Sequence, residues 1–554
     1  MRRLLSLLWI LGIIVLSGCS DIMELLGPEP VEELVLTYAA PTPEPFPDQV
    51  ATAERIRQRG AIIVGIRYDL EPFSFIGANG ELAGLEIDLV RELAQRWLGN
   101  SDAVIFRQLR SDTAAQHLTD GNVDIVLAGV PHTRNNEQNI DFSPPYFING
   151  QALLTFTDTG INALSDSSGR RIGVISWTDA TRQIEAVTTI TPTLTAYDNF
   201  FQVTEALRTR QIDAYADERH RLERARRTVN GAEIVGQYTQ IPFAIAFREN
   251  DPFFANLLAL TFQDMATDGT FTELYAAWLP GTPPPALAQL AGSSPTPTLG
   301  DTPQERFNGD LSARVKERGT LRVGYLQDLW PYSADRDDGV PTGFEVRLLE
   351  RVAEMWFGDR QAVQMVPVTR ATGLQVLLNG EVDVLAGGWV HTREIELQAN
   401  VSTMLFNDGV SIFSLSAAPY RSLQELVGQP VGIISGSEGA ATVAQLTQMA
   451  GGALNTIAFP DRDAAVAALQ QRQVVALLAE RGLVLAPLYR QPGFTLTDER
   501  LTYRPTIFVL PPGDSNYRDW FNETLLQLRD SGIFGELYTT WFDDSVPDAP
   551  PWPR

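Results

Sequence analysis

The sequence contains itself twice. Displaced by 259 residues, Gly121 to Arg134 (GNVDIVLAGVPHTR) falls on Gly380 to Arg393 (GEVDVLAGGWVHTR) with seven of fourteen positions identical. The same displacement lays RGAIIVGIRYDLEPF on RGTLRVGYLQDLWPY and pairs Gly84, Glu86 and Gly173 with Gly343, Glu345 and Gly432. At 263 residues, GTFTELYAAW (Gly269 to Trp278) matches GIFGELYTTW (Gly532 to Trp541) at six of ten positions. The drift of four residues amounts to one or two loop insertions. Solenoid and propeller repeats have periods of about 20 to 50 residues, so this is a whole domain duplicated. The copies occupy 53–281 and 308–545, separated by a Pro/Thr/Ser-rich linker over 282–307 that includes GSSPTPTLGDTP.

Inside each copy, short apolar runs alternate with helical periodicity. Ile62 to Ile66 reads as a strand, Leu85 to Trp97 as a helix with Leu85, Leu89, Leu93 and Trp97 on its apolar face, and Ile125 to Ala128 as a buried strand. Such alternation predicts an α/β fold of βαβ units with mainly parallel sheets, whose ligands sit beyond the carboxyl ends of the strands.

Charge and residue usage narrow the function. Among 554 residues, 43 Lys and Arg stand against 68 Asp and Glu, giving −25, which argues against nucleic acid as a partner because phosphate contacts need basic side chains. One cysteine and four histidines leave no disulfide, no Cys-based metal cluster and little for a zinc site. No HExxH, GxSxG or Walker loop is present, so no enzyme chemistry, cofactor or metal is expected.

The single cysteine has its own context. Arg2 and Arg3, an apolar run from Leu4 to Leu16, and Ser17-Gly18 precede Cys19; the run is too short to span a bilayer and has the layout of an export signal. Leu16-Ser17-Gly18-Cys19 resembles the bacterial lipobox, in which the cysteine is lipidated; a plain secretory signal with a coincidental cysteine is the competing reading. That implies a signal peptide over 1–19, lipid attachment at Cys19, a Pro/Glu-rich tether over 20–52 and an extracytoplasmic, membrane-anchored protein, at the periplasmic face or the cell surface. A short tail, 546–554, follows the second copy.

Several motifs carry a wider resemblance. VGIRYDLEPFSF with GELAGLEIDL, DGNVDIVLAG, HTR, IDFSPPYF, RIGVISWTD, IDAYADER and DGTFTELYAAWL occur in order in the first copy. VGYLQDLWPY, GFEVRL, GEVDVLAGG, HTR, VGIISGSEG, VVALLAER and SGIFGELYTTWF answer them in the second. In order and spacing the chain resembles the family-3 extracytoplasmic solute-binding proteins, receptors that feed polar amino-acid importers. The resemblance implies two tandem periplasmic-binding-protein-like type 2 domains, each of two α/β lobes joined by a two-strand hinge. In the first copy, lobe one spans about 60–148 plus 243–281, with hinges near Gly150 to Phe156 and Ile241 to Phe247. Their counterparts are Gly409 to Leu415 and Pro505 to Leu510.

By the same resemblance, an amino-acid zwitterion needs donors for its carboxylate and an acid for its ammonium. Thr133 and Thr392 are expected to cap a helix whose free amides also meet the carboxylate, and Gly129 and Gly388 to let backbone approach the ligand. Capping alone is the competing reading. The family's carboxylate-binding arginine falls at Asn136 and Ile395; Arg134 and Arg393 either substitute for it or point to solvent. His132 and His391 recur as structural hydrogen-bonding groups. The acidic position falls at Glu218, with Asp217 as competitor, and at Glu480; a solvated Glu paired with the neighbouring Arg is the alternative. Thr178 and Ser437 would add hydroxyl and amide donors, and Trp177 against Gly436 makes the pockets differ in bulk. The family's stacking ring is replaced by Leu70 and Leu329; Tyr68, Asp69, Phe73 and Phe75, and Asp328, Trp330 and Tyr332, line the same loops and can supply an aromatic wall or pack into the core. The expected function is a two-cleft receptor delivering a small polar, amino-acid-like solute to an ABC permease. The alternatives are a sensor or accessory binding lipoprotein and, more remotely, a dehydratase-like or cell-wall enzyme on the same fold.

Overall fold

The computed structural model describes residues 50–187, 189–285, 287, 290–301, 310–488, 493–542 and 546–547. The expected signal peptide, Cys19 and nearly all of the expected tether lie outside these residues. Among the described residues, no helix is long and apolar enough to cross a membrane.

The first copy opens with β1 (Ile62–Ile66), β2 (Asp69–Leu70), β3 (Ser74–Ile76), β4 (Leu82–Ala83), β5 (Val104–Gln108), β6 (Ile125–Val126) and β7 (Asp141–Asn149). After Gly150 come β8 (Gln151–Phe156), β9 (Arg171–Ile175), β10 (Thr193–Tyr197), β11 (Ala214–Glu218), β12 (Ala232–Val235) and β13 (Ile241–Phe247). Two sheets result. Lobe one has the order β5-β1-β6-β13-β7, with β1 parallel to β5 and β6 and with β13 antiparallel to its neighbours. Lobe two has the order β10-β9-β11-β8-β12, with β9 parallel to β10 and β11. A small sheet, β2-β3-β4, carries the loop after β1.

The reasons are local. The five residues of β1 are buried on both faces, as a central parallel strand requires. Leu85–Leu98 is a helix because Leu85, Leu89 and Leu93 recur on one buried face, and Gly99 in the left-handed conformation stops it. β6 is shorter than the sequence suggested: Ala128 and Gly129 take φ values of 28° and 64°, turning the chain away at the carboxyl end of the sheet. Each face of the first sheet has its own core, one built on Leu89, Leu93, Phe254 and Phe262, the other on Leu109, Leu118, Val123 and Val130.

The second copy repeats the plan. Its lobe-one order is Val363–Pro367, Leu321–Tyr325, Val384–Val390, Pro505–Leu510, Asn400–Val401, and its lobe-two order is Asn455–Phe459, Pro430–Ile434, Ala476–Glu480, Val410–Leu415, Phe494–Leu496. Both copies carry a cis X-Pro bond at matching positions, Glu71-Pro72 and Trp330-Pro331.

The lobes exchange chain at two crossings. In the first copy, β7 of lobe one passes through Gly150 into β8 of lobe two, and the return runs from β12 to β13. The crossings are stitched together by Gln151 N to Thr239 Oγ1 at 2.7 Å and Tyr238 N to Gln151 O at 2.9 Å. Gly150, at φ 140°, leaves no room for a side chain: a Cβ there would lie 2.0 Å from the Thr239 carbonyl oxygen. Gly409 occupies the same place in the second copy, 1.9 Å from the Thr502 carbonyl oxygen by the same measure.

The copies touch through reciprocal contacts. A displacement of 263 lays helix Pro252–Thr267 on helix Ser515–Asp530, and each helix receives an arginine from the other copy. Arg134 reaches Asp530 at 2.9 Å and Glu523 at 3.6 Å, while its repeat partner Arg393 reaches Asp264 at 3.2 Å. Near the helix starts, Ser515 N donates to Asn250 Oδ1 at 2.8 Å and Asn250 N to Ser515 Oγ at 3.2 Å. Part of the linker joins in, with Arg393 also donating to Ser294 O and Thr296 Oγ1 and with Leu299 packed into the first core.

Candidate functional site

The carboxyl ends of the parallel strands, where α/β sheets hold their ligands, gather a matched set of groups in each copy. Glu218 ends β11 and is half-buried. It accepts a hydrogen bond from the Asn149 amide at 3.0 Å and sits 3.1 Å from His220 Nδ1. Asn149 is the last residue of β7, so the acid is braced by the hinge itself; its amide oxygen also accepts from His220 N at 3.0 Å. Burial works to raise the Glu218 carboxyl, but His220, then Arg221 and the Asn149 amide, overcome it and hold the group at about 2. It is an anion at any physiological pH. Asp217, the competing acid, is fully buried and engaged by Tyr215 Oη, Glu218 N and Arg221.

In the second copy Glu480 holds the same place at 6% exposure. Its Oε1 accepts from Glu438 N at 2.7 Å, at the start of helix Glu438–Ala441; its Oε2 is buried and, among the described residues, has no hydrogen-bond partner. The hinge residue is Asp408 instead of Asn149. Asp408 takes Gly482 N at 2.7 Å on one oxygen, and Arg504 at 2.9 Å together with Tyr332 Oη on the other. Burial pushes the Asp408 carboxyl up to about 6, with Arg504, Tyr332 and Gly482 pulling against it and Glu480 adding to it.

The loop glycines are braced from below. Gly129 N donates to the fully buried Glu86 at 3.0 Å, and Gly388 N to Glu345 at 3.0 and 3.1 Å, so these amides are consumed by the protein. A Cβ on Gly129 would meet Leu70 at 2.9 Å, and one on Gly388 would meet Leu329 at 3.1 Å. The glycines therefore set the packing of the loop on these leucines more than they open backbone to a ligand.

The remaining expected residues divide. Thr392 caps helix Arg393–Glu396 through Ile395 N at 3.3 Å, and Thr133 receives Asn136 N at 3.3 Å, although in the first copy the segment is a turn rather than a helix. Ser437 caps helix Glu438–Ala441. Thr178 turns its hydroxyl and its amide back onto the Ile175 carbonyl, so neither donor faces outward. Trp177 is 65% exposed with Arg221 4.8 Å from its ring, and Tyr68 is half-buried against the lobe-one core. Asp69 is exposed and paired with Arg67; Asp328 and Trp330 are exposed, Trp330 lying edge-on to Trp541.

Four expected ligand contacts go elsewhere. Arg134 and Arg393 lie in the contact between the copies, because each finds carboxylates on the other copy's helix. Phe73 is fully buried against Phe147 and Phe243, and Tyr332 is buried against Phe406 with its hydroxyl spent on Asp408. His132 and His391 make the structural bonds expected of them, to Glu137 at 2.8 Å and to Glu396.

Sequence reasoning missed two arginines in the second copy. Arg504 opens the returning hinge segment where the first copy has Ile241. Arg370, after strand Val363–Pro367, donates to the Gly387 and Gly388 carbonyls at 2.7 and 2.9 Å and lies 4.8 Å from the Trp389 ring. Burial, then the charge of Arg504, lowers the Arg370 guanidinium to about 10, which places the two cations in one electrostatic neighbourhood. Arg immediately before the hinge proline was the readable signal for Arg504; Arg370 had none.

Residues 62–281 and again 321–544 match the model of the bacterial extracellular solute-binding proteins, family 3. The chain belongs to that family. This family 3 protein is 28% identical over 212 residues to the glutamine-binding protein of Geobacillus stearothermophilus, covering 38% of this chain and 77% of that one. It is 26% identical over 232 residues to the L-cystine-binding protein TcyJ of Escherichia coli (strain K12), covering 40% and 84%. Among solved structures it matches a polar amino acid ABC uptake transporter substrate binding protein from Streptococcus thermophilus at 17% identity and TM-score 0.39, over 43% of this chain and 92% of that one. Each of these relatives covers about two-fifths of this family 3 protein, the length of one copy.

Proposed function

We propose that each half of the chain closes over a small amino-acid-like solute, and that the protein delivers this solute to an ABC permease from a membrane surface to which Cys19 anchors it. The observation that carries the reading is Glu480: a carboxylate oxygen in a buried position, without a partner among the described residues, at the place where the resemblance puts the ammonium contact. Leaving such an oxygen unpaired is costly in the empty protein and favourable when a cationic donor arrives. Glu218 holds the matching place in the first half, already ionised and oriented by Asn149 and His220.

The halves differ in what they offer the other end of a zwitterion. The second half has Arg370 and Arg504 near the site, which supply the cationic charge that Ile395 lacks. The first half has Ser111 and Ile241 at those positions, with Trp177 and Arg221 on the opposite lobe. Two clefts of different chemistry follow, the second favouring the more acidic solute. The names of the glutamine- and cystine-binding relatives support amino acids as the solute class.

Calorimetric titration of the full chain against a panel of neutral, acidic and basic amino acids tests the reading. Binding of at least one amino acid, with the acidic ones abolished by Arg504→Met and Arg370→Met, is the expected result. A cooperatively folding protein that takes up none of the panel refutes it.

A further inference from the structure

Around the hinge, a set of touching residues changes together between the halves, and the changes depend on one another. In the first half His220 sits against the hinge. Its N donates to Asn149 Oδ1 at 3.0 Å, its Nδ1 lies 3.1 Å from Glu218, and its ring lies 5.8 Å from that of Phe243. Phe73, which has no hydroxyl, packs against the same Phe243 ring at 6.0 Å, and Ile241 stands opposite Asn149 across β13 and β7.

The second half answers with Gly482 for His220, Asp408 for Asn149, Thr506 for Phe243, Tyr332 for Phe73 and Arg504 for Ile241. Thr506 has no ring, and Tyr332 takes over the packing under the loop glycine. A Cβ on Gly129 would meet the Phe243 ring at 3.4 Å, whereas one on Gly388 would meet the Tyr332 ring at 3.2 Å. The Tyr332 hydroxyl then reaches Asp408. It can do so because position 482 is glycine: a Cβ there would lie 2.2 Å from the hydroxyl oxygen. In this geometry a histidine at 482 and a tyrosine at 332 exclude each other.

The result is one carboxylate, 1% exposed, that gathers three parts of the second half. Asp408 Oδ1 takes Gly482 N of lobe two at 2.7 Å, while Oδ2 takes Tyr332 Oη from a lobe-one loop and, at 2.9 Å, Arg504 Nη1 from the returning hinge segment. Among the described residues, Nη1 is the one side-chain nitrogen of Arg504 that a hydrogen bond engages, so the rest of its planar fork is open to a ligand carboxylate. Glu480 and Glu438 both lie within electrostatic reach of this arginine. An unrestrained guanidinium would fold onto Glu480 and quench it. Glu480 Oε2 instead has no partner among the described residues.

With the second half read as an amino-acid cleft, on which the inference rests, we propose that Asp408 and Tyr332 are positioning residues that hold Arg504 off Glu480 and aim it at the additional carboxylate of an acidic solute. The ammonium goes to Glu480 and that carboxylate to Arg504, with Asp408 buried behind the guanidinium. The first half has Ile241 at this place and no hydroxyl on Phe73, so the trait is confined to one cleft.

The test is calorimetric titration of the full chain with L-glutamate, L-glutamine, L-aspartate and L-asparagine, Glu480→Gln marking the heat that belongs to the second cleft. The readout is the affinity for each acid relative to its amide, which general damage to the hinge would leave unchanged because acid and amide would weaken alike. Asp408→Asn separates two expectations. As a mere nearby negative charge, its loss would tighten the acids; as the group that aims Arg504, its loss should weaken the acids at least about tenfold relative to their amides. Tyr332→Phe keeps the ring and should lower the same ratio by about threefold or more. Should Asp408→Asn fail to fold, Tyr332→Phe decides. A ratio that holds or rises in either variant overturns the role of that residue, and amides bound through Glu480 with no such binding of the acids overturn the proposal, both leaving the cleft reading intact. Absence of Glu480-dependent binding for every amino acid tried overturns the cleft reading and the proposal with it.

Discussion

Changing Glu480 to glutamine separates its charge from its shape. The amide oxygen can still accept from Glu438 N, as Oε1 does at 2.7 Å, so the start of helix Glu438–Ala441 keeps its partner. The unpartnered Oε2 becomes an NH2 group, which removes the negative charge and presents a donor to an incoming ammonium. A hydrogen bond between charged groups is worth about 1.5–3 kcal/mol, and stranding one charge of a buried pair costs about 2–5 kcal/mol. Binding in the second half should weaken by at least about 2 kcal/mol, roughly thirtyfold in dissociation constant. Folding should change little, because the glutamine keeps the Glu438 N contact and Oε2 has no partner to lose among the described residues; the melting temperature should hold. Calorimetric titration with the amino acid that binds the second half most tightly reads the loss, and Glu218→Gln, titrated alongside, should spare that half. Affinity within twofold of the original in Glu480→Gln, with normal folding, would refute the ammonium role.

Four further outcomes are expected. Burial holds the Glu345 carboxyl at about 7 against an ordinary 4.5, so the native state keeps a proton that the unfolded chain releases; stability is fully present below about pH 4.5 and falls by about 3 kcal/mol as pH rises through 7, a slope that urea unfolding should lose in Glu345→Gln. Gly150→Ala drives a Cβ against the Thr239 carbonyl at φ 140° and should cost at least about 2 kcal/mol by urea midpoint. A double-mutant cycle on the partly exposed Arg134–Asp530 pair should return no more than about 1 kcal/mol in thermal unfolding. Cys19→Ser should move the protein from the detergent phase to the aqueous phase in cell fractionation.

What could be read in the sequence was local or periodic. Ile62–Ile66 is five buried apolar residues and is the strand the pattern predicts; the helix from Leu85 carries its apolar face at the predicted positions and ends at Leu98, one residue later than expected. The duplicated plan followed from identities at a fixed displacement, the α/β class from apolar runs alternating with helical periodicity, and the family from the resemblance of motifs met in order in both copies. Thr392 caps because capping depends on residues three apart. Polar side chains whose partners are remote were another matter. Arg134 looked like a spare ligand contact because nothing near it in sequence announces Asp530, 396 residues on. Tyr332 and Phe73 sit on aromatic loops that can face a ligand or a core, and only the packing of Phe406 and Phe147 decides for the core. Arg504 is announced only by its place before the hinge proline, and Arg370 reaches the second site through a backbone turn that residue type does not disclose.

The contact between the halves includes exposed ion pairs, which by themselves hold proteins together weakly. A short covalent connection changes what weak contact can achieve, because it fixes the effective concentration of one half around the other at the order of millimolar. An association with a dissociation constant of about 0.1 mM would then be about nine-tenths formed within the chain, yet almost wholly apart between separate molecules at micromolar concentration. Fusion therefore supplies assembly that affinity alone need not provide. With an affinity of that order, a single cut in the linker would turn one two-domain chain into two domains that seldom meet.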